Sequence, residues 1–288
     1  MARTLEFRAG VRNYPDVFTP AVHAALEALA PFNRERLAIM DARIARRLDR
    51  IRNRRPIAFL DPGSTIPRTN IRVQDAREGR FDGGEIPPDL RRQWIQGTGP
   101  ATKPRASTKS AIRNVAYALL SGADGWMFDG EDALGQLSTM ALDNQRNLTL
   151  ALSRSQVFLD VAASVAQEMN TWAAGFFGRS IIADWRAQLD FTVPLFRARG
   201  LHLDDRHVRW ADGTGFSASI VDLALFVASN RAHLAARSRS MVLYLPKIQT
   251  AEEAALWHDI LSALERLVGV PVGSIKAYVL VEQLEACY

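Results

Sequence analysis

Apolar residues recur along the chain at two different periods. In ERLAIMDARIARRLDRIRNRRP, residues 35–56, Leu37, Met40, Ile44, Leu48 and Ile51 follow one another at intervals of three and four, the spacing of one helical face. Arginine dominates the positions between them, so the pattern predicts one amphipathic helix with a basic outer face in solvent. Further on, short continuous apolar runs take over. GWMFD, LDFTVPLF, SMVLYLP and IKAYVLVE read as strands, and SAIRNVAYALLSGA, SIVDLALFVASNRAHLAARS and AEEAALWHDILSALERLVG read as helices between them. Buried apolar strands alternating with amphipathic helices predict parallel βα units with both faces of the sheet covered.

The region before these units differs in texture. Residues 1–97 read as an accessory region: a strand-like LEFRAGV, helices near 20–31 and 33–54, and the long loop FLDPGSTIPRTNIRVQDAREGRFDGGEIPPDL leading to RRQWIQ. A loop of that length shapes a site or clasps something. Residues 98–288 form the βα domain.

Composition narrows the class. At 288 residues, 48% hydrophobic and 23% charged, the chain has the make-up of a globular protein with a sizeable core. A single cysteine, Cys287, excludes an internal disulfide framework and a thiolate metal cluster, and fits a reducing compartment. The N-terminus lacks a secretory apolar core, and no stretch reaches the ~18 uncharged apolar residues of a membrane span. The expected location is therefore the cytoplasm, with no membrane partner. The net charge of +5 raises nucleic acid as a partner, but much of the excess lies on the arginine-rich helix, where a solvated face is the simpler reading.

Candidate chemistry falls at one kind of place. Asp129, Glu131 and Asp132 follow GWMF, Arg197 and Arg199 follow VPLF, Lys247 follows YLP, and Glu282 follows YVLV. Each lies at the carboxyl end of an expected strand, where parallel α/β folds, and (β/α)8 barrels above all, build active sites. Each has a plainer role as well. Asp132 could cap a helix, an Arg-x-Arg pair is commonly a salt-bridging pair, and Glu282 and Lys247 could be ordinary ion-pairing or solvated side chains.

Several stretches, in order, resemble malate synthase of the shorter, A-type class: EIPPDLRRQWIQGTGP, MFDGEDA with Gln145, Asn147 and Leu148 after it, FRARGLHLDDRHV, YLPKIQTAEEAALWHDIL and GSIKAYVLVEQLEA. The resemblance runs from LEFRAGV to the last residue. It implies a (β/α)8 TIM barrel, incomplete here at the C-terminus, behind an N-terminal clasp, with the remaining barrel and a helical domain beyond Tyr288. It implies condensation of acetyl-CoA with glyoxylate to give malate and CoA, as in the glyoxylate bypass, with Mg2+ required. Within the family pattern Arg197 matches the catalytic arginine and Glu282 a glutamate ligand of Mg2+. Asp129, Glu131, Asp132, Arg199, His202 and Lys247 fall where orienting groups lie, with His202 equally a packed, hydrogen-bonded histidine. The second metal ligand and the general base have no match in this chain, which alone is then expected to be inactive. Self-association or a complementing C-terminal half is the expected macromolecular partner. LGQLSTMALDNQ stands where the family has Asn-Ser-Pro-Thr-Trp, TGPATKPRASTKSA is longer than the family's turn, and Gln249, Gln283 and Glu285 replace Glu, Thr and Pro. Such changes leave a non-catalytic partner subunit, or a related lyase or synthase acting on another acyl-CoA or 2-oxo acid, as alternatives.

Overall fold

The computed structural model describes residues 4–91, 95–98, 107–132 and 138–288. Its elements in chain order are β1 Leu5–Phe7, α1 Pro20–Leu29, α2 Phe32–Asn53, α3 Val73–Arg77, β2 Ile95–Thr98, α4 Thr108–Leu120, β3 Gly125–Asp129, α5 Ser138–Leu152, α6 Gln156–Phe177, α7 Trp185–Phe191, β4 Val193–Arg197, β5 Asp204–Trp210, β6 Gly215–Ser217, α8 Ala218–Ala235, β7 Met241–Leu245, α9 Ala251–Leu267 and β8 Ile275–Val279. Parts of the expected RRQWIQ segment, of TGPATKPRASTKSA and of LGQLSTMALDNQ lie outside the described residues.

The four apolar runs supply β3, β4, β7 and β8, and β2 joins them at one edge. β2, β3, β4, β7 and β8 form one five-stranded sheet in that order, every pair parallel. β4 is buried along its whole length because helices cover the sheet, which is why its sequence shows no polar alternation. α8 lies almost wholly inside, beside α1, α5 and α9, and it is apolar round its circumference for that reason. Trp126 and Trp257, among the largest fully buried side chains, belong to the same core.

Two features depart from expectation. LDFTVPLF is not one strand. Asp184 accepts hydrogen bonds from the Arg186 and Ala187 amides at 2.9 and 3.2 Å, starting a helical turn that runs through Phe191 before β4 begins at Val193. A second sheet, antiparallel in the order β1-β5-β6, is also present, joining the chain's first strand to the segment after β4 with Leu5 opposite Trp210.

The arginine-rich helix is helical as read, and Met40 is buried and Leu37 half-buried as expected, but the later part of the apolar stripe faces out. Ile44, Leu48 and Ile51 are 59%, 44% and 64% exposed. Facing inward instead are arginines seven, three and four residues apart. Arg36 donates to the Leu201 carbonyl and to Asp204, Arg43 to the Lys247 carbonyl at 3.0 Å, Arg46 to Gln249 and Arg50 to Glu285. The basic row therefore docks on the loops after β4, β7 and β8. Carbonyls and carboxylates at a strand-end rim attract guanidinium donors more strongly than they attract aliphatic side chains.

Candidate active site at the strand ends

Register delivers the charged residues to one rim. Asp129 closes β3 and Arg197 closes β4, and the two are direct partners across the parallel ladder. Lys247 follows β7 by two residues and Glu282 follows β8 by three, on strands that pair next in the sheet. Arg197 and Glu282, 85 positions apart in sequence, approach to 3.9 Å between Nη2 and Oε1.

Arg197 is the hub. Its Nη2 donates to Glu131 Oε2 at 2.9 Å and to Asp132, and its Nε lies 3.7 Å from Asp129 Oδ1. Burial opposes the guanidinium charge, but Glu131, Asp129 and Asp132 outweigh it and hold its pKa above the ordinary value. The buried Nε–H makes no hydrogen bond among the described residues. It is a fixed donor with capacity left.

The acids are set by their own backbone. Asp129 Oδ1 accepts the amides of Glu131 and Asp132 at 3.0 and 3.1 Å, folding the loop into an Asx turn. Gly130 donates its amide to the Arg197 carbonyl at 3.0 Å, and a Cβ at that position would stand 2.7 Å from the same oxygen. Only glycine permits that approach. Glu131, 1% exposed, spends one oxygen on Arg197 and the other on the Gly200 amide at 3.0 Å. Burial pushes its carboxyl above the usual range, and Arg197 and Lys247 offset part of that shift.

On the open side, Lys247 grips Glu282 twice, amide to Oε1 at 3.0 Å and Nζ to Oε2 at 2.5 Å, and Nζ also lies 3.5 Å from Asp132 Oδ2. Two carboxylates from different strand ends thus converge on one cation. Bonding to Glu282 outweighs the desolvation that would lower the Lys247 pKa, and the net shift is upward. Among the described residues no group of three or more His, Cys, Asp or Glu side chains is arranged to hold a metal ion.

Arg199 stands apart from this rim cluster, whereas the His202 ring lies at Gly200 beside the Glu131 carboxylate. The Arg199 guanidinium is buried between two acids, donating to Asp222 at 2.7 and 2.9 Å and to Asp205 at 2.8 Å. His202 is exposed on one side, yet burial of the rest of its ring, then Arg43, Lys247 and Arg36, hold its pKa below the ordinary value.

Sequence reasoning missed Arg36 and Arg43 as neighbours of this rim. Their spacing carried the signal, since they repeat at the helical period on the flank of the apolar stripe, Arg36 one turn before the buried Met40. Asp205 and Asp222 carried none, because their tie to Arg199 is tertiary.

Comparison with known proteins agrees with this architecture. Residues 193–288 match the malate synthase TIM barrel domain family. The chain is 29% identical over 277 residues to malate synthase of Myxococcus xanthus (strain DK1622), covering 96% of this chain and 44% of that protein. Malate synthase A of Escherichia coli (strain K12) is 28% identical over 268 residues, covering 93% and 43%, and the glyoxysomal malate synthase of Zea mays is 30% identical over 227 residues, covering 77% and 36%. The chain spans less than half the length of these relatives. With a parallel α/β sheet, a barrel-domain match and alignment along nearly its whole length, the chain is malate synthase-like.

Proposed function

We propose that the chain carries the substrate-condensing rim of a malate synthase-like transferase, in which acetyl-CoA condenses with glyoxylate and the thioester is hydrolysed to give malate and CoA. One observation carries the reading: a buried guanidinium, anchored by Glu131, keeps an unspent donor beside Glu282 at the strand-end mouth. Removing a methyl proton from acetyl-CoA creates an enolate, and attack on the aldehyde creates an alkoxide. Both gather negative charge. A guanidinium stays protonated at any relevant pH and donates from fixed directions, so Arg197 is suited to hold that charge without reorganising. Asp129, Glu131 and Asp132 keep it oriented, and Arg199, locked by Asp222 and Asp205, supports the loop that carries Gly200.

Glyoxylate is itself an anion, and the four carboxylates of the rim outnumber the two cations they touch. Mg2+ fits this imbalance. It is held in such sites by one or two carboxylates with substrate and water completing the shell, and Glu282 and Asp132 already share a cation. Bound there, Mg2+ would supply Lewis-acid polarisation of the substrate's carbonyl oxygen. No residue of the chain is assigned as general base. The reading places the work in the cytoplasm, and among the described residues no helix is long and apolar enough to cross a membrane.

The test has two arms. Calorimetry should show glyoxylate binding to the 288-residue chain in the presence of Mg2+, and a thiol reagent should detect free CoA when acetyl-CoA, glyoxylate and Mg2+ are supplied together. Absence of glyoxylate binding counts against the reading, and an intact acyl-CoA product in place of free CoA would redirect it to a lyase. A second, non-catalytic reading draws on the sheet edge: among the described residues β8 pairs only with β7, and Val279, Val281 and Leu284 beside it are 52%, 61% and 61% exposed. A polypeptide that completes the sheet would cover them. Sedimentation of the purified chain as a single monomeric species across concentration would oppose self-association there.

A further inference from the structure

We propose that Lys247 is the resident counter-ion of the Glu282–Asp132 pair, and that a divalent cation occupies the site by displacing the lysine ammonium. The inference rests on the reading that these carboxylates hold Mg2+, and it adds what governs its entry.

Lys247 binds one carboxylate with two donors, its amide at 3.0 Å and its ammonium at 2.5 Å, and reaches the second carboxylate at 3.5 Å. It does so from a left-handed backbone, φ 57°, a conformation unfavourable for a side chain bearing a Cβ and retained where surrounding contacts over-determine it. Those contacts are present. Arg43 fixes the Lys247 carbonyl at 3.0 Å while Glu282 takes the amide, so the curled backbone aims both donors of one residue at one acid.

The two cations touching these acids differ in freedom. Arg197 is 6% exposed and anchored by Glu131, whereas the Lys247 side chain is 23% exposed on a flexible stem and can swing outward. A divalent ion between the same oxygens would meet the ammonium at contact distance, where like charges repel strongly. The ammonium must leave for the ion to enter. While it stays, it holds together two carboxylates that would otherwise repel, keeping the site assembled at the expense of metal affinity.

The experiment follows Mn2+ binding to the 288-residue chain by the loss of the free-ion electron paramagnetic resonance signal, with circular dichroism confirming folding. Lys247→Met should bind Mn2+ about tenfold more tightly than wild type, which is about 1.4 kcal/mol. Lys247→Arg, which keeps a cation in place, should stay within about threefold of wild type, about 0.65 kcal/mol. Glu282→Gln should abolish binding. If Lys247→Met fails to fold, Lys247→Gln makes the same comparison. Unchanged or weaker Mn2+ affinity on removing the lysine charge, with Glu282→Gln still abolishing binding, overturns the counter-ion role and leaves the metal reading standing. No Mn2+ binding at millimolar concentration by wild type or either charge-removing variant overturns both.

Discussion

Arg197 shows how much one residue's environment can specify. Its guanidinium is held by three acids, its carbonyl is taken by Gly130, and one buried donor is left over. If that donor meets charge that appears only during reaction, Arg197→Lys should lower kcat by about 100-fold with a much smaller change in KM, the pattern of an interaction made in the transition state. Equal losses in both would contradict the role. Gly130→Ala tests the loop instead. Its Cβ would press against the Arg197 carbonyl, and a backbone atom cannot swing aside, so urea unfolding should show a loss of about 1–3 kcal/mol. At this scale the sequence was informative about position, because the strand-end rule brought Asp129, Arg197, Lys247 and Glu282 to one rim. It was silent about partners such as Asp205 and Asp222, because tertiary hydrogen bonds leave no periodic trace.

At the scale of elements, short apolar runs identified four of the five strands of the parallel sheet, since strands buried on both faces have little choice of residue, while β2, IQGT, shows no such run. The antiparallel β1-β5-β6 sheet escaped notice. β5, DDRHVRW, is largely polar in composition, and its pairing with β1 spans some two hundred positions. α2 was legible as a helix, with Met40 inside as expected, but beyond it the inward side was misread, because periodicity gives the existence of two faces and a hydrophobic scale then guesses which is inside. Ile44→Lys and Ile51→Lys should each change stability by less than about 0.5 kcal/mol, as exposed sites do. Arg36→Met should cost about 1.5–3 kcal/mol, because it removes buried charge-assisted hydrogen bonds to the loop after β4. Chemical denaturation of the three variants checks which side of the helix carries the stability. Arg199→Met leaves Asp222 and Asp205 facing each other without their cation, and a loss of about 3–5 kcal/mol is expected in the same assay.

Across the whole molecule, protonation couples to folding through two histidines. Burial, the first cause at both, holds His202 and His207 below the ordinary 6.5. Between their depressed values and 6.5 the unfolded chain binds more protons than the folded one, so stability rises with pH through that window and is lost as pH falls through the folded values. In thermal melts from pH 5 to 7 the double variant His202→Gln, His207→Gln should gain less Tm with rising pH than the wild type, since the raised carboxyls of Glu131 and Glu253 act in the opposite direction in both. The docked arginine row has a consequence of another kind. Beyond Met40 the inward contacts of α2 are guanidiniums on carbonyls, amides and carboxylates, whereas α1 sinks Val22, Leu26 and Leu29 into the core. Electrolyte weakens the first kind of joint and spares the second. Between 0.05 and 0.5 M sodium chloride, amide hydrogens near residues 44–53 should therefore exchange faster while those of α1 hold steady, and the end of that helix would lift from the mouth like a latch whose grip depends on the saltiness of the medium.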